Sequence, residues 1–227
     1  FALFHLGFAA HASTWTPALL GLTTLTLIVG NVMALAQTNI KRLLAYSGVA
    51  QIGYMLMAFV DGSAYGGAMM LFYIAAYTVA NMGAFFVIEA VAASSSGEGD
   101  DDIHDLDGLY KRSPAMAFAM LLFLLSLAGI PFVAGFWAKL YVFMAAWQAG
   151  STWLVLLGSL LAVVARSYYL RVARAMYMNQ PTRRSKVRVK PALAFAIGMC
   201  LLAVIGMGVY PSPFIDGARA AASTFFE

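Results

Sequence analysis

A single lysine poses the chemical question in this chain. Lys139 stands in L-A-G-I-P-F-V-A-G-F-W-A-K-L-Y-V-F, and no other residue between Ala115 and Trp153 carries a charge. An ammonium near a bilayer centre costs at least ~2.5–3.5 kcal/mol on insertion scales, so such residues pair, line water or change protonation state. About 11 residues, roughly 16 Å of helix, separate Lys139 from the loop at Gly150, and a lysine side chain cannot snorkel that far. Its helical neighbours Gly135, Phe136, Val142 and Phe143 include no acid. The sequence therefore calls for a partner on another helix.

A break is encoded just before it. Pro131 has no N–H and clashes with the preceding turn, while Gly129 and Gly135 remove side chains on either side, so the helix is expected to open near Ile130. Freed backbone groups at membrane depth are tolerated only where protein buries them or a wet cavity receives them. A broken helix beside a buried lysine reads as an ion path in which a moving neighbour could load and unload one proton. The competing reading is a packing kink with a lysine at the interface.

Other polar residues give weaker signals. Arg166 lies deep in the run Thr152–Met178 and is a candidate to line the path. Arg171 and Arg174, beside Tyr168, Tyr169 and Tyr177, look like an interfacial belt. Glu89 is expected near the end of its helix, at a surface more than in a relay. His5 lies in the first apolar stretch and is a candidate with little context. Gln51 and Asn81 can bond between helices or hold water, but carry no net charge.

These residues need a membrane to position them. Of the 227 residues, 62% are apolar and 11% charged, with a mean hydropathy of +0.80; such a chain has too little polar surface for a water-soluble globule. Apolar runs are read at Pro17–Ala36, Leu43–Val60, Tyr65–Ala93, Ser113–Gly150, Thr152–Met178 and Pro191–Tyr210, with Phe1–Ala10 as the end of another. The expectation is about six complete transmembrane helices plus the end of one, in an all-α polytopic bundle. The run 113–150 is too long for one crossing, which makes it a discontinuous helix near Pro131. Because the chain starts at Phe1 inside an apolar stretch, it reads as the C-terminal part of a longer protein.

The net charge of +4 comes from basic residues gathered in alternate loops: Lys41 and Arg42, Lys111 and Arg112, and Arg183 to Lys190. By the positive-inside pattern, residues 37–42, 94–112 and 179–190 are cytoplasmic, and no nucleic-acid partner is implied. The acidic stretch Ser94–Asp107 reads as a solvated loop more than a metal site. Cys200 is the one cysteine, too few for a disulfide or a thiolate cluster. No phosphate-binding glycine motif is present, so no metal or cofactor is expected on this chain.

Three stretches then resemble a known family. G-N-V-M-A-L-A-Q-T-N-I-K-R-L-L-A-Y-S-G-V-A-Q-I-G-Y (Gly30–Tyr54), D-L-D-G-L-Y-K-R-S-P (Asp105–Pro114) and L-S-L-A-G-I-P-F-V-A-G-F-W-A-K-L-Y-V (Leu125–Val142) look like the proton-translocating, antiporter-like membrane subunits of respiratory complex I. Their flavour is most like that of the N-type subunits of bacterial NADH-quinone oxidoreductase. The resemblance implies the second inverted repeat of an antiporter-like fold in the bacterial inner (plasma) membrane. It implies a translocase subunit that moves protons coupled to quinone reduction, beside other complex I membrane-arm subunits and the lipid bilayer. NADH, FMN, iron–sulfur clusters and quinone would belong to partner subunits. Lys139 would match the lysine of the broken helix, the last station of the proton path. Gln51 stands where many members carry His, which leaves no titrating side chain there. A cation/proton antiporter subunit without an electron-transfer partner is the alternative function.

Overall fold

The computed structural model describes residues 12–60, 62–94, 101–181 and 187–224. Its helices are α1 (Ala12–Leu35), α2 (Ile40–Val60), α3 (Ala64–Ala93), the short α4 (Leu109–Arg112), α5 (Pro114–Ala128), α6 (Ala134–Gln148), α7 (Thr152–Met178), α8 (Pro191–Val209) and α9 (Ser212–Ser223). Among the described residues, five helices (α1 from Trp15, α2, α3, α7 and α8) are long and apolar enough to cross a membrane. The all-α polytopic class expected from the sequence is thereby met.

The long run after Ser113 is divided where the glycine and proline stand. Pro114 sits in the first turn of α5, where its missing N–H costs nothing. Gly129 ends that helix in the left-handed region at φ 75°, and a paired cap closes it: Gly129 N donates to Ser126 O and Ile130 N to Leu125 O. The chain crosses Pro131 and Phe132, the latter at φ 76°, before α6 begins at Ala134. Each half has 15 residues, about 22 Å of helix, so neither spans a ~30 Å hydrocarbon core alone. Gly135 permits the close crossing of the halves, because a Cβ there would lie 1.8 Å from Ser126 O.

Three departures from the sequence reading have local causes. Lys41 and Arg42 lie in the first turn of α2, not in a connection, because Asn39 caps it: Asn39 Oδ1 accepts from Arg42 N at 2.9 Å. Residues 101–107 are not a solvated loop. Ile103–Leu106 forms a 3-10 turn that buries both apolar ends, and its backbone pairs with the start of α2 through Ile40 N to Asp101 O and Ile103 N to Thr38 O. Helix α9 has no counterpart in the sequence reading. Ile215, Ala218 and Ala222, three and four residues apart, are its buried face, and it packs against α3.

The basic connections gather at one end of the bundle. Lys41 pairs with Asp101 at 2.8 Å, Lys111 Nζ donates to Gln180 Oε1 at 2.9 Å, Arg171 donates to Gln37 O at 2.6 Å, and Arg188 N donates to Ser94 Oγ at 3.0 Å.

Candidate functional site

The break frees a particular backbone acceptor. In an unbroken helix, Leu127 O would receive the N–H four residues on, but that residue is Pro131, which has none. Two side chains occupy the carbonyl instead: Lys139 Nζ donates to it at 2.7 Å and Gln51 Nε2 at 3.0 Å. Lys139 is 5% exposed and its ammonium lies 5.0 Å from the centre of the Tyr54 ring, a cation–π distance. The partner on another helix is thus a carbonyl dipole and an aromatic face. Gly129 makes the approach possible, since a Cβ there would stand 2.7 Å from Lys139 Cδ.

Gln51 joins this acceptor to a buried polar cluster. It lies at the middle of α2, its Nε2 also donates to Tyr169 Oη at 3.2 Å, and Tyr73 Oη donates to its Oε1. Nearby, Tyr168 Oη donates to Asn31 Oδ1 at 3.2 Å, and Tyr54 Oη donates to Gly158 O at 3.2 Å. A cavity of about 10 Å³ opens beside the cluster, between Gln51, Tyr73, Tyr77, Ser126 and Leu127, a volume that suits one water molecule. One turn along α3 from Tyr77, Asn81 Oδ1 is buried with no hydrogen-bond partner among the described residues.

The structure treats the sequence candidates differently. Gly129, Pro131 and Lys139 come together at the break, and Gly135 N donates to Ser126 Oγ at 3.0 Å, satisfying one of the free amides at the start of α6. Glu89 is exposed, four residues before the end of α3. Arg166 is exposed on the outer face of α7, so within this chain it does not line the cluster. His5 lies outside the described residues. Tyr168 and Tyr169 are not a belt: both are 1% exposed, because they occupy the face of α7 turned to the core. Tyr54, Tyr73 and Tyr169 went unread as site residues; the available signal was their hydroxyls on helices shared with Gln51, Asn81 and Arg166 respectively.

Lys139 and the carbonyl that Pro131 leaves free thus define a discontinuous-helix site inside a multi-pass membrane bundle. The NADH:quinone oxidoreductase/Mrp antiporter transmembrane family matches residues 1–165, and the chain belongs to it. NADH-quinone oxidoreductase subunit N of Moorella thermoacetica is 45% identical over 215 residues, 94% of this chain and 44% of that protein. A chain of respiratory complex I from Thermus thermophilus superposes with a TM-score of 0.74 at 32% identity, covering 88% of this chain and 45% of that one. A chain of the Mrp complex from Dietzia sp. gives 0.85 at 20% identity, covering 95% and 48%, a likeness of fold alone. The chain thus spans less than half the length of the relatives it matches.

Proposed function

We propose that this chain is the latter part of an N-type membrane subunit of NADH:quinone oxidoreductase in the inner membrane, and that Lys139 is a proton station in it. The observation that carries the reading is the bond from Lys139 to the carbonyl that Pro131 leaves free. A neutral amine and an ammonium can both donate to that carbonyl, so the geometry holds the side chain in place through a change of charge.

The flanking groups support a route. With the basic end of the bundle on the cytoplasmic side, α3 runs inward from that side past Asn81 and Tyr77 to Tyr73. Asn81 Oδ1 and the small cavity would hold waters, and Gln51 with its tyrosines would pass a hydrogen-bond chain to the acceptor shared with Lys139. No redox step falls on this chain; NADH, FMN, iron–sulfur clusters and quinone would be handled by partner subunits, among them the rest of the membrane arm. Residues 94–112 and 179–190 would face the cytoplasm.

The test places Lys139→Met and Lys139→Arg in the full-length subunit within the assembled complex, and measures proton uptake into inverted vesicles together with quinone reduction. Both variants should assemble, because removing an ion that is costly in lipid need not destabilise the bundle, and both should lose pumping. Arginine supplies charge but no release step, so normal pumping by Lys139→Arg would rule out deprotonation here. A native assembly that lacks flavin and iron–sulfur subunits and exchanges sodium for protons would favour the antiporter alternative.

A further inference from the structure

The basic end of the bundle holds a polar cavity that the proton station does not use. It measures about 280 Å³, and its polar lining is Thr38, Asp102, His104, Arg171, Arg174 and Asn179. Three elements meet there: the connection after α1, the 3-10 turn that Asp102 caps, and the last turns of α7. Arg171 and Arg174 stand three residues apart, which makes them neighbours on the surface of α7. Arg171 is oriented by its bond to Gln37 O at 2.6 Å. Arg174 has neither a hydrogen bond nor an ion pair among the described residues.

The nearby acids are engaged elsewhere. Asp101 pairs with Lys41 at 2.8 Å. Asp107 accepts from Asn179 Nδ2 at 2.8 Å and lies 3.0 Å from His104 Nδ1. Asp102 is the one carboxylate among the lining residues, and it accepts from His104 N at 2.8 Å. Two guanidiniums against one carboxylate leave the lining net positive even with the His104 ring neutral. Such an excess is balanced by one anion, and the planar N–H forks of arginine match the oxygens of a phosphate.

The level of the cavity selects the source of that phosphate. Leu35 lies three residues before Thr38 and Leu170 four before Arg174, about one turn deeper in the bundle, and both are exposed. The guanidiniums therefore stand where hydrocarbon gives way to headgroups. The volume falls just below the ~300–1,000 Å³ of small-molecule pockets, room for a headgroup whose acyl chains stay in the bilayer. We infer that this cavity binds the headgroup of an anionic phospholipid of the phosphatidylglycerol type. Arg171 and Arg174 hold its phosphate, and Asp102 and Thr38 supply acceptors for its hydroxyls. A zwitterionic lipid brings no net charge and leaves the positive excess in place. The bound headgroup ties the end of α1, the turn at 103–106 and the end of α7 to the membrane surface.

The experiment reads lipid contact and not pumping, so its result stands apart from the role of Lys139. The assembled complex with the full-length subunit is reconstituted in phosphatidylcholine vesicles containing a small fraction of photo-reactive phosphatidylglycerol, and the labelled peptides are mapped by mass spectrometry. Label is expected within residues 35–38 and 168–180, displaced by unlabelled phosphatidylglycerol and retained against phosphatidylethanolamine and millimolar inorganic phosphate. Absence of label there, or equal displacement by phosphatidylethanolamine, would reduce the contact to general lipid packing; displacement by inorganic phosphate would make the site one for a soluble anion; each overturns the inference. Arg174→Gln has no bond to lose within the chain, so the fold should stand while the yield falls at least ~tenfold, as loss of a charge-assisted hydrogen bond predicts. Lys190→Gln removes the same charge at the same end, outside the lining, and should lower the yield by about fivefold at most, the effect of one basic residue near an anionic surface. Equal losses from the two variants would replace the site by surface attraction.

Discussion

Lys139 Nζ lies 2.7 Å from Leu127 O, twelve residues back along the chain and across a helix break. The relationship depends on Pro131, because any other residue there would bring an N–H able to compete for the same oxygen in helical register. Pro131→Ala should leave α5 capped, since Gly129 and Ile130 close it independently, and the subunit should assemble. Pumping should fall about tenfold, the lower limit for weakening a hydrogen bond to a charged group worth ~1.5–3 kcal/mol. Proton uptake into inverted vesicles measures it, and undiminished uptake would show that the free carbonyl is not needed.

Gly129 permits a separation of strain from contact. Gly129 and Gly150 both have φ 75°, but a Cβ at Gly129 meets the Lys139 side chain at 2.7 Å, whereas one at Gly150 meets nothing within 4 Å. Alanine at either position bears the left-handed penalty of roughly 1–2 kcal/mol. Both variants should therefore lower the thermal stability of the complex by similar amounts, and only Gly129→Ala should impair pumping. Equal pumping by the two would mean that Lys139 tolerates displacement from its carbonyl.

Gln51 is neutral, yet it holds three polar groups: the Leu127 carbonyl, Tyr169 Oη and Tyr73 Oη. Gln51→Leu would leave these groups short of partners in a buried place, at about 1–3 kcal/mol for each one wholly unsatisfied. The expected result is a lower unfolding temperature together with reduced proton uptake. Gln51→His, which can both donate and accept, should restore much of the activity. If Gln51→Leu pumped normally, the cluster would be packing and not a path.

The sequence exposed the parts of this site that depend on near neighbours. Lys139 was conspicuous as an ion in an apolar run, and Gly129 and Pro131 marked the break because their backbone properties act within a turn. The span of α7 was legible to the residue, Thr152–Met178, from its length and flanks. What remained hidden depends on pairing between distant segments. Nothing local says that the lysine's partner is the Leu127 carbonyl, although the missing N–H of Pro131 announces a free acceptor. Tyr168 and Tyr169 followed the interfacial preference of their type until the orientation of α7 turned them inward, and Arg166 on the same helix turned outward. The turn at 103–106 was masked by the acids around Ile103 and Leu106, and α9 by the prolines that stop α8.

His104 gives the basic end of the bundle a pH dependence. Its Nδ1 lies 3.0 Å from Asp107 Oδ2, and that hydrogen bond, followed by the charges of Asp107, Asp102 and Asp105, raises its pKa above the ordinary 6.5 while the ring stays exposed. Asp107 is itself held by Asn179 Nδ2 at 2.8 Å, which ties the turn to the end of α7; Arg171 and Arg174 line the same pocket. A group whose folded pKa is raised contributes its stabilisation fully below the unfolded value, here about 6.5, and loses it as pH rises through the higher folded value. Protection of the amides of residues 103–108 in hydrogen exchange should accordingly be greater near pH 5.5 than near pH 8.5, after correction for intrinsic rates. His104→Gln should abolish that difference, while Asn179→Ala should weaken protection at both pH values and retain the slope. A slope that persists in His104→Gln would assign the pH dependence to another group.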